Sequence, residues 1–149
     1  MGTLSAVLSL RLPPTEKSRL EKLARRMGRT VGELAARMVI EGRRREDFPW
    51  IDFRETPAGR LAYLQGTRVQ IWWLARLARQ PKASVKKIAE SLDLPPAQIQ
   101  AALNYATAFP DEIETAIRDY EETTLDDLKR QIPGLAVFDV AEAPSKRRK

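Results

Sequence analysis

Residues 4 to 12 alternate, and no second strand near them in sequence stands ready to pair with them. Leu4, Ala6, Leu8, Leu10 and Leu12 fall on one side, with Ser5, Val7, Ser9 and Arg11 on the other. Period two over that length predicts a half-buried strand. Pro13 and Pro14 stop it, and Pro14 suits a first helical position. Apolar residues then recur at Leu20, Leu23, Ala24 and Met27, one helix face, and Gly28 supplies the stop. Thr30 and Glu33 form a T-x-x-E capping box that opens a second helix, with Val31, Leu34, Ala35 and Met38 on its inner face and an end near Gly42. A lone strand leaves its amide and carbonyl groups unpaired. The simplest solution is a two-fold dimer, or a higher even-numbered oligomer, in which two copies pair antiparallel.

Charge is concentrated in the same segment. Residues 1 to 46 hold 11 Lys and Arg against 5 Glu, a net of +6, whereas residues 47 to 149 hold 15 of each sign. The leading segment therefore has the electrostatics of a polyanion binder. A solvated basic face is the plainer reading of charge taken alone.

The 149 residues include no His and no Cys, which removes an imidazole base, a thiolate nucleophile, a Ser-His-Asp triad and Cys/His metal sites. Asp111, Glu112, Glu114, Asp126 and Asp127 cluster at expected helix starts, where the helix dipole alone accounts for them, and no base or nucleophile accompanies them. Neither catalysis nor a cofactor is expected. No apolar run approaches the roughly 20 residues of a membrane span. Met1 to Leu12 lacks the basic start and cleavage site of a signal peptide, and with no cysteine a cytoplasmic setting is expected.

The alternating Leu8-Ser9-Leu10-Arg11-Leu12, the Pro13-Pro14 entry, the Met27-Gly28-Arg29-Thr30 turn and the two helix patterns together resemble the ribbon-helix-helix family of bacterial DNA-binding proteins, over about residues 4 to 45. A two-stranded ribbon fits a B-DNA major groove, so its outward side chains meet base edges. Val7, Ser9 and Arg11 are then the readers: Arg11 for guanine, Ser9 for several bases, Val7 for a thymine methyl. The resemblance also implies that the start of the second helix clamps a phosphate, through the amides of Thr30, Val31 and Gly32 with Arg29 beside them.

Beyond the basic Gly42 to Arg45, residues 47 to 59 read as a packed connector in which Trp50, Ile51 and Phe53 are too apolar for open solvent. Arg60 to Leu64 and Arg68 to Ile71, flanking Gln65-Gly66-Thr67, predict a small hairpin. Trp72 to Arg79 reads as a helix in which the adjacent tryptophans cannot both point inward. Ser84 caps a helix with Val85, Ile88, Ala89 and Leu92 inside. Asp93-Leu94-Pro95-Pro96 leads to another over Ala97 to Phe109, a helix-turn-helix pattern with Asp in place of the usual turn Gly. Lys82, Lys86 and Lys87 suit phosphates, while the outward Gln98, Gln100, Ala101 and Asn104 include no cation. This unit serves either as a packing or dimerisation scaffold or as a second DNA contact. Phe48-Pro49, Ile51 to Arg54, Pro57 to Arg60, Gly66 to Arg68 and Phe109 to Ile113 are similar to the homeodomain-like domain of unknown function of VapB-type antitoxins, over about residues 48 to 120.

Asp111 and Glu114 are expected to cap a helix to about Glu122, and Thr124 with Asp127 a further one bearing Leu125, Leu128 and Ile132 on its apolar side. Pro133-Gly134 ends it, and Leu135 to Val140 reads as a strand. Such a marginal segment either is ordered by a partner or folds back on its own chain. Antitoxins of the resembled type join a DNA-binding part to a toxin-neutralising part, the toxin commonly a PIN-like ribonuclease. That implies Leu125, Leu128 and Ile132 in a toxin groove and Leu135, Val137, Phe138 and Val140 added to a toxin sheet. Lys146 to Lys149 would then approach the acidic metal site of such a nuclease.

The expectation is thus a mostly α chain with short β: a dimeric ribbon-helix-helix over 1–46, a homeodomain-like helix-turn-helix module over 47–122 and a toxin-binding tail over 123–149. Its partners would be double-stranded operator DNA, autorepressed, and a toxin. The alternative is a ribbon-helix-helix repressor without a toxin.

Overall fold

The computed structural model describes residues 6 to 136, which form seven helices and one two-stranded antiparallel sheet. Residues 6 to 13 precede the first helix without forming a strand, because nothing among the described residues pairs with them. The expected ribbon is therefore not formed within one chain; Leu4 and Ser5 lie outside the described residues.

α1 (Pro14–Arg26) starts on its proline and ends where Gly28 takes φ 62°. α2 (Val31–Asp47) opens on the expected capping box: Thr30 Oγ1 accepts from the Glu33 amide and the Glu33 carboxylate accepts from the Thr30 amide. It does not fade at Gly42 but continues five residues further, to Asp47. A mid-helix glycine costs only about 1 kcal/mol. The Arg43–Asp47 and Glu41–Arg45 pairs, with the docking of this half of the helix described below, oppose that cost.

The predicted connector holds a strand instead. β1 (Ile51–Thr56) pairs with β2 (Gly59–Leu64) around Pro57-Ala58, with Glu55 opposite Arg60 and Thr56 opposite Gly59, whose φ of 101° needs a residue without Cβ. Ile51 and Phe53 alternate with Asp52 and Arg54, a short period-two signal obscured by its flanking prolines. Of the expected partner Arg68 to Ile71 only a Tyr63–Gln70 bridge survives, since Ile71 begins α3 (Ile71–Ala78). Trp50 is also not covered as expected: it stands exposed at φ 61°, while Ile51 and Phe53 are buried.

α4 (Val85–Leu92) is capped by Ser84, which accepts from the Lys87 amide, and ends on Asp93 in the left-handed conformation, φ 53° and ψ 47°. α5 (Pro96–Ala108) and α6 (Pro110–Glu122) follow, each with proline in its first turn. Asp111 and Glu114 do not cap α6; no side chain does, and Glu114 instead pairs with Arg79 of the α3 end. α7 (Leu125–Gln131) has the expected Thr124–Asp127 box. Beyond it Leu135 and Ala136 form no strand, and Val137 to Val140 lie outside the described residues.

One core joins β1, β2 and α3 to α6, with Leu64, Ile71, Leu74, Ile99, Ala102 and Tyr105 fully enclosed. Phe48 meets Tyr105 and Phe109 edge-on with centroids 5.4 and 5.5 Å away, so the C-terminal end of α2 is anchored there. Arg44 completes the anchor, donating to the Tyr105 hydroxyl and to Glu112, each at 2.7 Å, while its guanidinium lies 3.9 Å from the Phe109 ring centre. Burial, and the Glu112 carboxylate beside it, push the Tyr105 hydroxyl well above the ordinary tyrosine range. Among the described residues no helix is long and apolar enough to cross a membrane.

Candidate nucleic-acid interface

Residues 6 to 12 are all exposed, to different degrees. Val7 is 96% exposed, against 68% for Leu8, 55% for Leu10 and 46% for Leu12. Leu10 and Leu12 border an apolar groove with Leu20 and Leu23 of α1 and Ala35 and Val39 of α2. Ala6, Val7 and Leu8 border its continuation, which reaches Val31 and Gly32. The chain thus brings the start of α2 beside the leading segment. Ser9 and Arg11 are both exposed.

Within a single chain this groove is open, and the apolar surface around it is larger than expected. Met38, assigned to the inner face of α2, is 45% exposed, and Val39 and Ile40 beside it are comparably open. Only Leu34 and Ala24 are buried between the two helices. The reason is geometric: two crossing helices cover one stripe of each other, and α2 carries apolar residues around more of its circumference than α1 can cover.

At the start of α2, Val31 and Gly32 keep their amides for an incoming anion, and the space about Gly32 is open. Thr30 does not. Its amide already donates to Glu33 Oε2 at 3.0 Å, so of the three amides expected to hold a phosphate two remain. That bond, followed by the Thr30 hydroxyl, lowers the Glu33 carboxyl below its usual range. Arg29 is exposed beside them, with its Nη2 3.8 Å from Glu55 Oε1.

No family model matches the chain, and no curated protein or solved structure matches it either. The functional reading therefore rests on geometry and charge.

Much of the basic charge counted in the leading segment is committed to the second module. Arg37, Glu41 and Arg45, one turn apart along α2, face Glu55, Arg60 and Asp52 of the hairpin. Arg37 Nη1 lies 3.4 Å from Glu55 Oε2. Arg60 embraces Glu41 with two nitrogens, Nη2 donating to Oε2 at 2.7 Å. Arg45 Nη2 donates to Asp52 Oδ1 at 3.1 Å. Glu41 is buried, and Arg60 beside it is held more firmly protonated by that carboxylate. At Asp52 burial works against ionisation, but the Phe53 amide and Arg45 outweigh it and lower the carboxyl. The i, i+4, i+8 alternation of sign on α2 was the signal for this ladder, and the expectation of a free basic surface overlooked it.

On the α4–α5 unit, Lys86 and Lys87 are exposed, and Lys87 Nζ donates to the Lys82 carbonyl. Gln100 and Asn104 are exposed and bonded to each other at 2.9 Å, Gln98 is half-buried, and Ala101, expected outside, is buried. Leu125 and Leu128 of α7 and Ile132 just after it are all exposed, and the helix buries no residue. Leu128 and Ile132 border a groove with Trp72, Tyr120, Leu61 and Pro57. Leu135 is half-buried, whereas Val137, Phe138 and Val140 lie outside the described residues. Among the described residues no three carboxylates converge as metal ligands would: Glu112 holds Arg44, Glu114 holds Arg79, and Asp127 caps α7 and pairs with Arg130.

Proposed function

We propose that this chain is a DNA-binding antitoxin-type repressor that works as a dimer. Two copies pair residues 6 to 12 antiparallel, seat Leu8, Leu10 and Leu12 on the open α1–α2 grooves, and present Val7, Ser9 and Arg11 to the DNA major groove. Arg29 with the Val31 and Gly32 amides then takes a backbone phosphate. The observation that carries this reading is the open apolar groove itself: a soluble chain rarely leaves Leu8, Leu10, Met38, Val39 and Ile40 exposed together unless a second surface covers them. In this reading α4 and α5, joined through left-handed Asp93, form a homeodomain-like helix-turn-helix that spaces or dimerises the protein, since the exposed face of α5 offers Gln and Asn but no cation. The exposed apolar side of α7 would enter a partner, a PIN-like ribonuclease toxin.

The test combines molar mass by light scattering with titration of operator DNA. Arg11→Ala is expected to abolish sequence preference, and Arg29→Ala to weaken all duplexes alike and reduce the salt dependence by about one phosphate contact. A stable monomer at working concentration, or an unchanged footprint for Arg11→Ala, would overturn the ribbon. The repressor without a toxin is favoured by one observation: Leu128 and Ile132 already border a groove of their own chain. Co-purification with the product of an adjacent toxin-like reading frame separates the two.

A further inference from the structure

Glu55 sits at an unusual junction. Guanidinium groups from three different elements surround its carboxylate: Arg29 from the α1–α2 turn at 3.8 Å, Arg37 from α2 at 3.4 Å and Arg60 from β2 at 3.4 Å. The three are not equivalent. Arg60 has its main partner in Glu41, and Arg37, only 18% exposed, is held from its other side by the Met27 sulfur 3.6 Å away. Arg29 has no hydrogen bond to Glu55 and remains 43% exposed. The carboxylate, itself about half exposed, is thus fixed by Arg37 and Arg60 and left with a field that reaches Arg29.

We propose that Glu55 is a built-in brake on the phosphate contact of Arg29: it stands in for a DNA phosphate in the free protein and is displaced from Arg29 when the duplex arrives. This rests on the reading of Arg29 and the start of α2 as a phosphate clamp, and adds that the second module sets its strength. The register of the hairpin is what makes it possible. Glu55 faces Arg60 across the strands and Arg60 is pinned to Glu41, so the carboxylate is held near the turn while the more exposed Arg29 side chain can turn from it to a phosphate. Two like charges competing for one half-exposed guanidinium interact weakly in water, so the brake trims affinity without blocking it. It also acts on every duplex equally, since a phosphate contact is blind to sequence.

The experiment titrates a short mixed-sequence duplex at low and high salt with the full-length protein, Glu55→Gln and Glu114→Gln. The second variant makes the same change in net charge at a carboxylate of α6 paired with Arg79 at the end of α3. Glu55→Gln is expected to bind roughly three- to five-fold tighter than Glu114→Gln at low salt, with the difference fading as salt screens it. In an Arg29→Gln background the advantage should vanish. Equal affinities of the two variants, or an advantage that survives Arg29→Gln, would overturn the brake while leaving DNA binding in place. Absence of duplex binding by all the proteins would overturn the clamp, and the brake with it. Matching thermal melts of Glu55→Gln and Glu55→Asp confirm that the readout is not loss of fold.

Discussion

The leading segment and the module after it are written in the same apolar alphabet but close differently. In β1, β2 and α3 to α6 the apolar positions converge on one core, and Leu64, Ile71, Leu74 and Ile99 lose all their exposure. In residues 6 to 40 the patterns are as regular, yet Leu8, Leu10, Met38, Val39 and Ile40 stay open and only Ala24 and Leu34 are enclosed. An extended segment and two helices present more apolar surface than they cover among themselves. The lesson is that one region closes its own core, whereas the other leaves an apolar face that the described residues do not cover; in the proposed dimer a second copy covers it.

The strongest way to break this comparison is to truncate one side chain in each region. Ile99→Ala should lower stability by about 2 to 5 kcal/mol at any protein concentration, because it empties a site that the chain alone has filled. Leu10→Ser should instead lower only the concentration-dependent part of the melting temperature if, as proposed, a second copy covers it. A loss with Leu10→Ser that is as large, and as independent of concentration, as that with Ile99→Ala would mean that the leading segment closes on itself.

The seam between the regions supplies the next effect. Glu41→Ala leaves Arg60 with Glu55 alone and removes the central rung of the ladder between α2 and the hairpin. Arg60 is only a quarter exposed, so the expected cost is about 1 to 3 kcal/mol in chemical denaturation. The double variant Glu41→Ala/Arg60→Ala should recover part of it, because it leaves no guanidinium stranded. An additive loss would show that the two act separately.

Legibility follows the same divide. Capping boxes at Thr30 and Thr124, the Ser84 cap, left-handed Asp93 and the proline start of α1 were all readable, because each depends on a few adjacent residues. β1 was not, since Ile51 and Phe53 give two apolar repeats between prolines and only pairing with β2 makes them a strand. The run of α2 past Gly42 was missed for a related reason: what holds it is Arg44 on Tyr105 and Glu112, residues 61 and 68 positions away. At the candidate interface, the capping box placed Arg29, Val31 and Gly32 at the start of α2, while their phosphate role came from the resemblance alone. The place of Glu55 among Arg29, Arg37 and Arg60 was invisible, because it depends on a hairpin register that sequence spacing had assigned to other residues.

The smallest effect is also the finest discriminator. Thr30 and Thr124 make matching capping boxes, the hydroxyl oxygen of each accepting from the third helical amide at 3.2 Å. Local chemistry alone predicts the same cost for Thr30→Ala and Thr124→Ala, about 1 kcal/mol. Their surroundings differ. α2 is tied to the shared core through Phe48 and Arg44, so loss of the Thr30 cap should appear in global unfolding. α7 buries no residue, so loss of the Thr124 cap should fray that helix alone and leave the main transition unmoved. Hydrogen exchange of the α7 amides checks this: they should exchange far faster than those of α5 in the free chain and slow on addition of any partner that seats Leu125 and Leu128. If Thr124→Ala instead moves the main transition as far as Thr30→Ala does, α7 belongs to the closed module, and its apolar side is already spoken for.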